Sequence, residues 1–109
     1  MKIPDLGELL ARAQQVQQRL AEVQRDLARR TAEASAGAGL VTAVASGDLR
    51  IREIRIDPEL LARQDREMIE DLVVSATNAA LDAARRLAEE ELKRVTGGLP
   101  LPPGMLGTP

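Results

Sequence analysis

Apolar residues recur at heptad spacing through residues 5–31. Leu6, Ala13, Leu20 and Leu27 fall at one heptad position, and Leu9, Val16 and Val23 at the other. A stripe sustained for about three heptads predicts a helix of coiled-coil character. Pro4 and Asp5 suit its start, where a proline is tolerated and an acid complements the helix dipole. At ~1.5 Å per residue the helix is about 40 Å long, more than a domain of this size can cover. It is expected to project or to pack on another subunit.

Ala34 to Gly39, a run of small residues with two glycines, ends the periodicity. Leu40 to Ala45 reads as a strand, Gly47-Asp48 as a tight turn and Leu49 to Ile56 as a second strand. In that second strand Leu49 and Ile51 share one face while Ile54 and Ile56 share the other. A bulge near Arg52-Glu53 reconciles them, as does a sheet covered on different faces at its two ends. The stretch around Thr31 to Ala36 has room for a short edge strand. Asp57-Pro58-Glu59 closes the sheet, because proline cannot donate to a ladder. From about Asp65 to Val95 a second long helix follows, with Met68, Ile69, Leu72, Val73, Ala76, Ala80, Ala83, Leu87 and Leu92 as its apolar stripe. Its alanine-rich middle admits close approach of another backbone. Gly97-Gly98 stops it, and the Pro/Gly-rich segment 97–109 is expected to be a flexible tail on a single domain spanning 1–96.

Histidine, cysteine and all aromatic residues are missing from the 109-residue chain. That removes the usual proton shuttle near neutral pH, the thiolate nucleophile and the soft metal ligand. Glu70-Asp71 and Glu89-Glu90-Glu91 have no nucleophile or partner at ligand spacing and read as solvated helix charge. Gly37-Ala38-Gly39 precedes a strand and lacks the lysine and helix start of a phosphate loop. Neither an enzyme nor a cofactor, metal or small-molecule substrate is expected. Without a leader-like segment or a run of roughly 18 apolar residues, no membrane association is expected and the cytoplasm is the default.

The net charge is −2 but uneven: residues 57–82 carry two basic and seven acidic groups, whereas residues 1–31 carry six basic and four acidic. Thirteen of the fifteen basic residues are arginine, the side chain suited to bidentate phosphate contacts. Between Glu8 and Glu22 no acid interrupts Arg12, Gln15, Gln18 and Arg19. Arg12 and Arg19, seven apart, share one side of the helix about 10 Å apart along its axis, a span suited to phosphates. The bland alternative pairs Arg12 with Glu8 and Arg19 with Glu22 on a solvated flank. Arg25, Arg29 and Arg30 extend the basic surface, blunted by Glu22 and Asp26. Arg85, Arg86, Lys93 and Arg94 form a second candidate, with Glu89 and Glu90 placed to pair with the last two. Arg50, Arg52 and Arg55 read as a solubilising sheet face.

Several ordered fragments carry a resemblance. They are the Ala-Gln-Gln-Val-Gln run at 13–17, Gly37-Ala38-Gly39-Leu40-Val41, Gly47 at the turn and Ile56-Asp57-Pro58-Glu59-Leu60-Leu61. Glu67 to Val73, Ala76 to Ala80 with Asn78, and Leu101-Pro102-Pro103-Gly104-Met105 complete the set. In that order, over nearly the whole chain, they resemble the YbaB/EbfC family of bacterial nucleoid-associated DNA-binding proteins. The resemblance implies an α+β protomer, long helix, three-stranded antiparallel sheet, long helix, in which the stretch before Gly37 is the edge strand. It also implies a homodimer joined through its sheet region, with projecting helical arms that bind double-stranded DNA at the nucleoid. Leu40, Val41, Val44, Ile51, Ile54, Ile56, Leu72, Ala76 and Ala80 are the candidates for that interface. The runner-up is a coiled-coil-like protein-interaction scaffold whose DNA association is indirect, a role the acidic 57–82 segment favours.

Overall fold

Asp5 caps the first helix: its side chain accepts from the Glu8 N–H at 2.8 Å, and helix α1 runs Leu6–Arg29. A computed structural model describes residues 5–96; the expectations at Pro4, for the Gly97-Gly98 stop and for a flexible tail over 97–109 lie outside the described residues. Strands β1 (Thr31–Ala36), β2 (Val41–Ser46) and β3 (Ile51–Ile56) follow as a three-stranded antiparallel meander, then a short helix α2 (Pro58–Ala62) and the long helix α3 (Arg66–Thr96). The edge strand before Gly37 is therefore real. The α2 turn, started by Pro58 behind an Asp57 cap, is too short to show a period in the sequence.

The ladder explains the parity switch. Val44 faces Glu53, yet Ala45 faces Ile51, so Arg52 is one residue too many and β3 bulges there. Ile51, Ile54 and Ile56 are thereby brought to one face, opposite Ala45, Ala43 and Val41. Leu49 departs from expectation. It belongs to the turn at φ 64, held by its N–H to the Ser46 carbonyl at 2.8 Å, and its side chain still packs against the core. Burial of that leucine offsets the cost of a left-handed backbone.

The core lies between the sheet and α3. Val41, Ala43 and Ala45 meet Ala76, Ala80 and Ala84 of α3, with Leu60 of α2 buried beside them. Alanines every four residues let helix and sheet backbones come close, and Gly37, at φ 64, leaves room where a Cβ would stand 2.8 Å from Leu72. Helix α3 lies over β1 and β2 and touches β3 only lightly. Ile51 and Ile54 consequently stay 36% and 37% exposed. The opposite sheet face is polar: Arg55 reaches Glu33 at 2.9 Å and Glu53 at 3.0 Å, spanning all three strands.

Only Val23 and Leu27 of α1 are buried; residues 5–19 are exposed throughout. The apolar stripe continues along this bare part, with Leu6 73% and Val16 57% exposed.

Candidate nucleic-acid interface

Two joints aim the bare half of α1. The Gly47 N–H, in the β2–β3 turn, donates to the carbonyls of Leu27 at 2.9 Å and Arg30 at 3.0 Å. This satisfies carbonyls that a helix end leaves unpaired. The Arg30 side chain forms the second joint, bridging Asp26 of its own helix at 3.2 Å and Glu91 of α3 at 3.1 Å. Both long helices leave the sheet at this end, because β1 opens at the Ser46 end of β2.

On the arm, Arg12, Gln15, Gln18, Arg19 and Arg25 are exposed, as is Arg29 near its root. Arg12, Arg19, Arg25, Arg29 and Arg86 form no ion pair among the described residues. The bland pairing of Arg12 with Glu8 and of Arg19 with Glu22 is therefore not made. The α3 end differs. Arg94 pairs with Glu91 rather than with Glu90, and Lys93, though exposed, is not without an interaction. Arg85 donates to Asp82 at 3.2 Å, leaving its buried Nε without a partner among the described residues. The structure thus gathers four arginines and two glutamines along one arm, whereas Arg94 is already held by an acid.

The remaining arginines are mostly tied down. Arg52, the bulged residue, donates Nε to the buried Ser46 hydroxyl at 3.0 Å and Nη2 to Asp48 at 3.3 Å. Ser46 in turn donates to Asp48, and this hydrogen bond, aided by Arg52, holds the Asp48 carboxyl below its usual range against a smaller opposing effect of burial. Glu33, then Glu53, raise the Arg55 guanidinium above its usual value, so it keeps its charge throughout.

The expected interface residues divide. Val41, Ala76 and Ala80 are fully buried within the chain itself and Val44 nearly so. The small-residue stripe of α3 packs against the chain's own sheet, where Val41, Ala76 and Ala80 are buried within one copy. Ile51 and Ile54 are exposed, with Leu40, Ile56 and Leu72 half-buried around the same core. A shallow cleft of about 280 Å³ lies among Asp65, Glu67, Met68, Asp71 and Leu72, and its acids repel a polyanion. Among the described residues there is no cluster of three or more potential metal ligands, and no helix long and apolar enough to cross a membrane.

Sequence reasoning missed Glu91. It lies in a run of three glutamates that looks solvated, but it stands seven residues after Ala84, on the inward phase of the helix. That phase was the available signal.

Comparison with known proteins bears on the fold and the family. A protein of Helicobacter pylori described as uncharacterized, known from a crystal structure, superposes with a TM-score of 0.75 over 87% of this chain and all of that one, at 18% identity. Likeness at that level concerns the fold. A nucleoid-associated protein of Chlorobium chlorochromatii is 42% identical over 106 residues, covering 97% of this chain and 94% of its own. Another, from Ruminiclostridium cellulolyticum, is 42% identical over 101 residues, covering 93% and 88%. The model of the YbaB/EbfC DNA-binding family matches residues 1–99, and with these relatives it establishes that the chain belongs to that family.

Proposed function

We propose that this protein binds double-stranded DNA as a homodimer, through arginine and glutamine contacts to phosphates from its helical arms, and acts in nucleoid organisation or gene regulation rather than catalysis. The observation that carries this reading is the arm of α1. Arg12 and Arg19 stand exposed on one side of a bare helix with no acid paired to either. Unpaired guanidinium groups release counterions when they meet phosphate, without first breaking an internal ion pair. The relatives named as nucleoid-associated support the same assignment, with the nucleoid, in the cytoplasm, as the place of action. Arg25, Arg29 and Arg86 extend the surface; Lys93 and Arg94 join it with the cost of leaving a present partner.

The homodimer rests on Ile51 and Ile54, which leave apolar surface along the unpaired edge of β3. An open strand edge invites pairing, and a second copy closes it. Leu40, Ile56 and Leu72 lie at the margin of that contact.

The test is a gel shift with the double variant Arg12→Glu, Arg19→Glu, confirmed by sedimentation to keep the subunit number of the parent. Binding is expected to vanish at moderate salt. Retained binding places the DNA elsewhere on the molecule. A scaffold that grips another protein is the second reading, favoured by the uncovered Leu6, Leu9, Leu10 and Val16. Binding of defined DNA by purified protein alone decides against it.

A further inference from the structure

We propose that Glu91 is a positioning residue for DNA binding, and that its pair with Arg30 is a brace that fixes the angle between the α1 arm and α3. This rests on the DNA-binding reading above. Arg30 shares the helical phase of Arg12, eighteen residues earlier, and by charge alone would join the DNA-facing row. It is withheld. Its guanidinium reaches Glu91 at 3.1 Å and Asp26 at 3.2 Å, while Arg94 approaches Glu91 on the α3 side. The Glu91 side chain is only 13% exposed, against 40% for Arg30, so the pair sits in the crease between the helices and not on an outer face. It ties the C-cap of α1 to α3.

Leverage makes the brace matter. From Arg30 to Arg12 the arm is about 27 Å long at ~1.5 Å per residue. A swing of about 10° at Arg30 therefore moves Arg12 by about 5 Å, more than the ~3.4 Å rise between successive phosphates of one strand. Outward of the buried Val23 and Leu27 nothing corrects such a swing, because residues 5–19 are bare. The backbone joint at Gly47 fixes where α1 ends; the Arg30 side chain fixes how far it leans.

The experiment turns on sign. Arg30→Gln removes a positive charge and Glu91→Gln a negative one, so simple attraction to DNA shifts affinity in opposite directions. A brace requires both to weaken binding, each by about three- to tenfold, with the double variant no weaker than the worse single one. Binding is read by fluorescence anisotropy on one duplex at fixed salt, with thermal melting run alongside. Tighter binding by Glu91→Gln, or additive losses, overturns the proposal.

A second measurement does not depend on DNA. The chain has no cysteine, so cysteines placed at the exposed positions Gln14 and Glu90 carry nitroxide labels, with labelled chains diluted into excess unlabelled protein. Pulsed electron paramagnetic resonance should show one narrow distance distribution in the parent and a broad one in Glu91→Gln. An unchanged width overturns the brace. Should the parent bind no DNA while the width still responds, the DNA reading fails and the brace stands.

Discussion

The Gly47 amide hydrogen meets two α1 carbonyls, and a Cβ at that position would stand 2.8 Å from the Leu27 carbonyl oxygen and 3.0 Å from the Leu27 side chain. Backbone cannot yield as a flexible side chain does, so Gly47→Ala must push α1 off the turn. The expected loss is about 1–3 kcal/mol of stability, the usual range for overpacking, read from denaturant melts. DNA affinity should fall with it. Asp48, in the same turn, sets an acid limit. Its carboxyl is held below the ordinary 3.8 chiefly by the Ser46 hydroxyl. The stabilisation is therefore complete above that value and lost as pH falls through the lower folded value. Asp48→Asn should flatten the fall in melting temperature below about pH 4; an unchanged acid limb would place the sensitivity in other carboxylates. The turn at Gly47-Asp48 was legible from residue types alone. Leu49 was not, because nothing in a leucine announces a positive φ that tertiary burial repays.

At the scale of elements, period carried most of the information. Heptad spacing revealed α1, and the parity change from Ile51 to Ile54 left a bulge and a two-faced sheet as alternatives, between which the ladder chooses a bulge at Arg52. Five-residue α2 was invisible because one turn has no period. The alanine stripe of α3 was visible but ambiguous. Small residues announce that a backbone comes close, without saying whose, and here it is the chain's own sheet. The contact proposed for a second copy is the β3 edge. Ile54→Glu sets a charge on a residue of that edge that is 37% exposed, and should halve the mass found in sedimentation at micromolar concentration while thermal melting shows the fold retained. An unaltered mass would move the contact to another element.

For the whole molecule, the candidate arm was readable as an acid-free interval between Glu8 and Glu22, and residues 5–19 of it are exposed. The fate of the α3 cations was not readable. Sequence spacing offered Glu89 and Glu90 as partners, but Arg94 turned to Glu91, which the fold had already placed against Arg30. Charge in three dimensions follows helical phase and neighbours, and spacing within one helix reports only half of that. If Arg12 and Arg19 of two copies meet about four phosphates, the logarithm of affinity should fall with the logarithm of salt at a slope near −4. A slope close to zero would remove phosphate contact as the basis of binding.

Extending 72 × 21 × 19 Å, with a radius of gyration of 19.7 Å, the chain drags far more solvent than a sphere of its 11.8 kDa, for which a radius of gyration of ~13 Å is ordinary. On a sizing column calibrated with globular standards, one copy therefore elutes ahead of its mass and imitates a pair. Light scattering, which weighs particles regardless of their outline, is the instrument that counts subunits here.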